Sequence, residues 1–204
     1  MVTICLLVAL TFFVFAQAAS LRNGGQSAAD AAALAAAQEA RDTLFDDLIE
    51  AVADGEGDLS AILQAQDVET AACSAAQDLA GRNGASVEEC VKLDGRAGYR
   101  VTVRTEASVG DTIIPGTEGR HAVLEAVAVI EGLCTAESGD ESDPGETPDD
   151  DDPGDGEDEG GGEQDDATPV TLDCEDREWV IDPDDNDTGD LPDPRDLFRV
   201  HLEN

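Results

Sequence analysis

Residues 1–19, MVTICLLVALTFFVFAQAA, contain no charged side chain. As a helix rising about 1.5 Å per residue they would extend about 28 Å, close to the thickness of a bilayer's hydrocarbon core. Two readings fit such a segment: a membrane-spanning anchor, or a secretory leader removed at the small-residue pattern Ala16-Gln17-Ala18. Both export the remainder of the chain. No Lys or Arg precedes the apolar run, and Gln17 leads straight into an Ala-rich stretch that favours helix, so an uncleaved anchor over residues 1–19 is the expectation. Basic residues cannot orient it, because Arg22 is the only one nearby.

Cysteines supply the orientation. Cys5 lies in the apolar run, whereas Cys73, Cys90, Cys134 and Cys174 lie downstream, an even number in an exported chain. That pattern reads as a disulfide framework in an oxidising compartment, with the N-terminus inside the cell and the bulk outside. A zinc site is a poor alternative: there is no Cys-x-x-Cys, and His121 and His201 stand far from any ligand spacing with a cysteine.

Beyond the apolar run the sequence stays helix-favouring, and Leu44, Phe45, Leu48, Ile49 and Val52 fall at i, i+1, i+4, i+5 and i+8, one stripe on a helix. Gly24-Gly25 interrupts this stretch and predicts a kink or frayed turn. A loop at Asp54-Gly55 and Gly57-Asp58 separates it from two shorter helices over residues 59–66 and 68–80, the second closed by Gly81, Asn83 and Gly84. From Val87 the period changes. Cys90-Val91-Lys92-Leu93 and Tyr99-Arg100-Val101-Thr102-Val103-Arg104 flank Asp94-Gly95 and Gly98, a hairpin signature. Ile113-Ile114-Pro115-Gly116 reads as a short edge piece with a turn, and residues 122–130 as a third strand with Leu124, Ala126, Ala128 and Ile130 on one face.

Acids outnumber bases 48 to 11, giving a formal charge of −37. Binding to nucleic acid or to an anionic membrane surface through a basic patch is thereby excluded. Seventeen of the acids, and no base, fall in residues 135–173, which lack large apolar residues before Val170 and Leu172. Such a stretch cannot bury enough surface to offset its ordering entropy and is expected to be a disordered acidic tether. Strand-like order returns in residues 174–204 at Trp179-Val180-Ile181 and Leu197-Phe198-Arg199-Val200-His201-Leu202. This C-terminal segment is expected to dock on the head formed by residues 20–134, with Cys73 paired to Cys90 and Cys134 to Cys174. Four cysteines allow three connectivities, and this one joins the last helix to the first strand and the end of the third strand to the Trp179 segment.

Chemical motifs are absent. No His-Glu-x-x-His, Gly-x-Ser-x-Gly or phosphate-cradling glycine loop occurs, so neither enzymatic activity, nor a cofactor, nor a small-molecule substrate is expected. Asp182, Asp184, Asn186, Thr188, Asp190 and Asp193 fall at positions 1, 3, 5, 7, 9 and 12 of a calcium loop. Flanking helices are missing from the pattern, Asp187 stands where the loop needs Gly, and Asp193 replaces the usual Glu, so a solvated turn is the expectation. Asn186-Asp187-Thr188 also matches a glycosylation sequon.

The stretch Arg22-Asn23-Gly24-Gly25-Gln26-Ser27-Ala28-Ala29-Asp30-Ala31-Ala32-Ala33-Leu34-Ala35-Ala36-Ala37-Gln38 resembles the TadG-like proteins of Flp (Tad) pilus systems in high-GC Gram-positive bacteria. The resemblance continues through the Cys73 helix, Asn83-Gly84, residues 99–104, Pro115-Gly116-Thr117-Glu118, residues 122–131, Trp179-Val180-Ile181-Asp182-Pro183 and Asp196-Leu197-Phe198. It implies a single-pass, pilin-like α+β protein in the cell membrane whose anchor runs into a long helix, accessory helices and a small antiparallel sheet. Implied partners are the bilayer, through residues 1–19, and other pilus or secretion-system membrane proteins. The short segment that family carries before its anchor has no counterpart ahead of Met1, so a prepilin-type cleavage site is not located. The competing expectation is a cleaved, secreted, disulfide-stapled acidic binding protein.

Overall fold

A computed structural model describes residues 2–55, 58–65, 72–108, 119, 121–137, 169–182 and 191–203, without the side chains of residues 14, 17 and 18. The fold is α+β, built on one long helix. Helix α1, Val2–Asp54, runs unbroken for 53 residues. Gly24-Gly25 does not interrupt it, and Gly25 has a packing role: a Cβ there would overlap Leu124 and the Thr105 methyl, so the glycine lets the helix lie directly on the sheet. Gln26 fastens the same point, its side-chain amide donating to the Asp30 carboxylate at 2.8 Å and to the Glu125 carbonyl at 3.4 Å.

Past Gly25, α1 buries Ala28, Ala29, Ala32, Ala33, Ala36, Ala37, Ala40, Leu44, Leu48 and Val52. Alanines recurring at i, i+1, i+4 and i+5 make a band too wide for one neighbour, and α1 has two. One side meets the sheet. The other meets helix α3, Ala72–Arg82, which offers Ala72, Ala76 and Ala80, so that small residues face small residues and the helices approach closely. Phe45 and Ile49 complete the expected stripe as half-buried side chains. Between them α2, Leu59–Leu63, is one turn long and capped by Asp58, whose carboxylate accepts from the Ala61 amide at 3.1 Å and the Ser60 hydroxyl at 2.7 Å. It ends earlier than residue 66 because Ala65 takes a positive φ of 52°. Helix α3 ends later than the sequence suggests, and residues 68–71 of the expected helix lie outside the described residues; Gly81 is helical, and Gly84 at φ 68° turns the chain into the sheet.

Strands β1 (Ala85–Lys92), β2 (Gly98–Ser108), β3 (His121–Gly132), β4 (Cys134–Glu137), β5 (Val170–Cys174), β6 (Glu178–Ile181) and β7 (Phe198–Glu203) form two antiparallel sheets, ordered β1-β2-β3-β7 and β4-β5-β6. In the first, alternation sends Tyr99, Val101, Val103 and Thr105 into the core beside Ala126, Ala128 and Ile130, and pairing Ala128 with Leu202 and Gly132 with Phe198 brings β7 onto the same layer. Glu88 is an extra residue in β1, a bulge between Val87 and Glu89 on an edge strand. Here β1 starts five residues before Cys90.

The second sheet trims the expected tether at both ends, while residues 138–168 lie outside the described residues. Both ends of residues 135–173 are strands, because Thr135–Glu137 pair with Thr171–Asp173 and Val170 and Leu172 supply apolar contacts. Disulfides join Cys73 to Cys90 and Cys134 to Cys174, the latter directly opposite each other across β4 and β5. A short helix, α4 (Pro194–Leu197), leads into β7; Asp193 and Asp196 cap it reciprocally. The edge piece read at Ile113–Gly116 lies outside the described residues.

Candidate functional site

α1 runs alongside β3. Gly25 touches Leu124 near the start of that strand, and α2, which follows α1, meets Gly132 at its end, where a Cβ would collide with the Leu63 carbonyl. The chain before Gly25 therefore extends past the head. Every described side chain over residues 2–20 is exposed, including Val2, Ile4, Leu6, Leu7, Val8, Leu10, Phe12, Phe13 and Phe15. Thr11 turns its hydroxyl back to the Leu7 carbonyl, so even this polar residue presents its methyl outward. Cys5, unpaired and exposed, lies in the same stretch. Among the described residues no helix is long and apolar enough to cross a membrane. The unbroken run of described apolar surface, residues 2–13, rises only about 18 Å.

A second surface is the side of the β1-β2-β3-β7 sheet away from the helices, where the pairing aligns Arg104 with Val123, Thr102 with Glu125 and Arg100 with Val127. Val91 and Val123 are exposed and Val127 is half-buried. Ion pairs tie the strands together: Arg104 to Glu88 at 2.6 Å, Arg100 to Glu125 at 3.5 Å, Arg199 to Glu131 at 3.5 Å, and Arg96 to Glu203. Arg199 also reaches Glu175 at 2.6 Å, joining the two sheets, and that hydrogen bond with the carboxylate's charge raises its pKa above the ordinary guanidinium value.

At the end of the head away from residues 2–20, a cleft of about 950 Å³ opens between Leu63-Gln64, the β1–β2 turn and residues 130–135. Leu93, Ala97 and Ile130 form its apolar wall, and Lys92, Asp94, Arg96 and Glu131 its charged rim.

The four disulfide cysteines come together as two staples at the edges of the head and form no reactive site. Of the calcium-loop positions, Asp182 and Asp193 are described, and Asp193 serves as the α4 cap; Asp184, Asn186, Thr188 and Asp190, with the sequon at residues 186–188, lie outside the described residues. No group of three or more potential metal ligands occurs among the described residues. Trp179 is half-buried opposite Leu172, with the Arg177 guanidinium 4.6 Å from its ring centroid. Sequence reading missed the arginine-glutamate lattice of the outer face. Its signal was there, since Arg100 and Arg104 alternate with core residues along one strand. Compared with protein-family models, with curated proteins and with solved structures, the chain matches none.

Proposed function

We propose that the chain is a pilin-like component of a Flp (Tad)-type surface apparatus, anchored in the membrane by the first part of α1 and acting through protein contacts of its extracytoplasmic head. The observation that carries this reading is α1 itself, one helix that is apolar and exposed over its first part and packed on a sheet over its second. Nine large apolar side chains exposed there would gain on the order of 10 kcal/mol on leaving water. No charged side chain opposes that transfer: residues 1–19 carry no charge in the sequence, and a helix satisfies its own backbone. Two disulfides on the head suit an oxidising exterior. The Ala-rich junction and the ordered pieces resembling TadG-like proteins supply the link to a pilus system.

Alkaline extraction of membranes from cells producing the full chain tests the anchor. The protein is expected to stay with the bilayer, and Leu7→Lys with Leu10→Lys to release it. Quantitative release of the unmodified chain, with a new N-terminus following Ala18, would establish the secreted binding protein in its place.

A further inference from the structure

We propose that the outer face of the β1-β2-β3-β7 sheet is the contact between two copies of this chain, packed face to face about a twofold axis that runs along the strands. Like-charged molecules carrying −37 each repel at most approaches. On this face charge comes near balance, because four of the chain's eleven basic residues lie on or beside it, each against a glutamate, with Glu89 opposite Thr102 as a further exposed carboxylate. On this face Val91 and Val123 are exposed and Val127 half-buried, with Val129 buried at its lower end, whereas the opposite side of the sheet is filled by α1 and α3.

The register supplies the complementarity. An axis parallel to the strands and passing between β2 and β3 keeps every residue at its own height and lays β2 of one copy over β3 of the other. Arg104, Thr102 and Arg100 then face Val123, Glu125 and Val127 of the second copy. Each Glu125 sits over Thr102 and between two arginines, and each valine lies under an arginine stem, twice over by symmetry. The choice of axis rests on the anchor reading: because α1 runs alongside β3, this axis sends both apolar segments the same way, into one bilayer. An axis perpendicular to the strands would point them in opposite directions.

Packed sheets lie about 10 Å apart and strands about 4.8 Å, so the two Val123 residues, offset from each other by one strand spacing on opposite layers, would be about 11 Å apart. With Cys5→Ser to remove the free thiol, full chain carrying Val123→Cys in liposomes should crosslink to a dimer with a short bismaleimide, and chain carrying Glu50→Cys on the exposed side of α1 should not. Adding Glu125→Arg, or separately Thr102→Glu, which breaks no ion pair, places like charges in register and should lower the Val123→Cys yield about ten-fold. No crosslink at position 123, equal crosslinking at position 50, or a yield unchanged by either charge variant overturns the contact. A chain released by alkali that still crosslinks at position 123 would refute the anchor and leave the contact standing.

Discussion

Gly24 and Gly25 are neighbours on one helix with opposite surroundings. A Cβ on Gly24 would meet nothing within 4 Å, whereas one on Gly25 would drive into Leu124 and Thr105. Thr105 cannot turn aside, since its hydroxyl donates to the Ala107 carbonyl at 2.9 Å and accepts from the Ala122 amide at 3.0 Å. Gly24→Ala should therefore stabilise the oxidised chain by about 0.5–1 kcal/mol, the gain of removing glycine from an open helix position. Gly25→Ala should lose about 1–3 kcal/mol to overpacking despite the same propensity gain. Denaturant titrations compare the two, and effects of the same sign would refute the close approach. The pair looks alike in sequence, both glycines reading as a weak point, because the difference is made by a sheet far along the chain. What local reading could resolve at this scale was the chemistry of a residue, not who stands opposite it.

Elements divide on the same line. The long strands were legible because alternation needs only local information: residues 99–105 and 124–130 show which side is buried in their own spelling, and the cysteines' places at element ends made one pairing topologically natural. Strands β4 and β5 were hidden, since four and five residues inside a run of acids carry too little periodicity to stand out, and their partners are each other across an insertion. A sheet of strands this short depends on what it packs against, here through Leu172 and Ile181, and on its cross-link. Its staple is Cys134–Cys174, which spans a sequence separation of 40 against 17 for Cys73–Cys90. On loop-closure entropy the two are worth about 4 and about 3 kcal/mol. Replacing Cys134 and Cys174 by alanine should accordingly cost more than replacing Cys73 and Cys90, and hydrogen exchange should show the loss concentrated in β4, β5 and β6 while β2 and β3 stay protected. A greater cost at Cys73–Cys90, or uniform deprotection of both sheets, would rule this account out.

For the whole molecule, net charge works against stability at long range. Seven ion pairs are formed among the described residues, all with at least one well-exposed partner, and exposed pairs contribute about 0–1 kcal/mol each. Against them stands the repulsion of 37 uncompensated negative charges. Salt screens both, over about 30 Å at 0.01 M and about 10 Å at 0.1 M, and because repulsion acts among many groups at long range while each pair acts at contact, screening removes more repulsion than attraction. Added salt should thus raise the melting temperature of the chain. Residues 139–168 hold 15 acids and no base, so replacing them with a short turn between β4 and β5 takes the formal charge from −37 to −22 (−37 plus 15). Loop entropy contributes little to this comparison, since Cys134–Cys174 holds the ends of that stretch together in the unfolded chain as well. The shortened chain should melt several degrees higher than the full one at 0.01 M salt, by about the 2–4 °C per kcal/mol usual for this size, and the gap should close as salt rises. Calorimetry at the two ionic strengths measures both effects together; a gap that persists unchanged at high salt would mean that the acidic stretch acts on the head by something other than its charge.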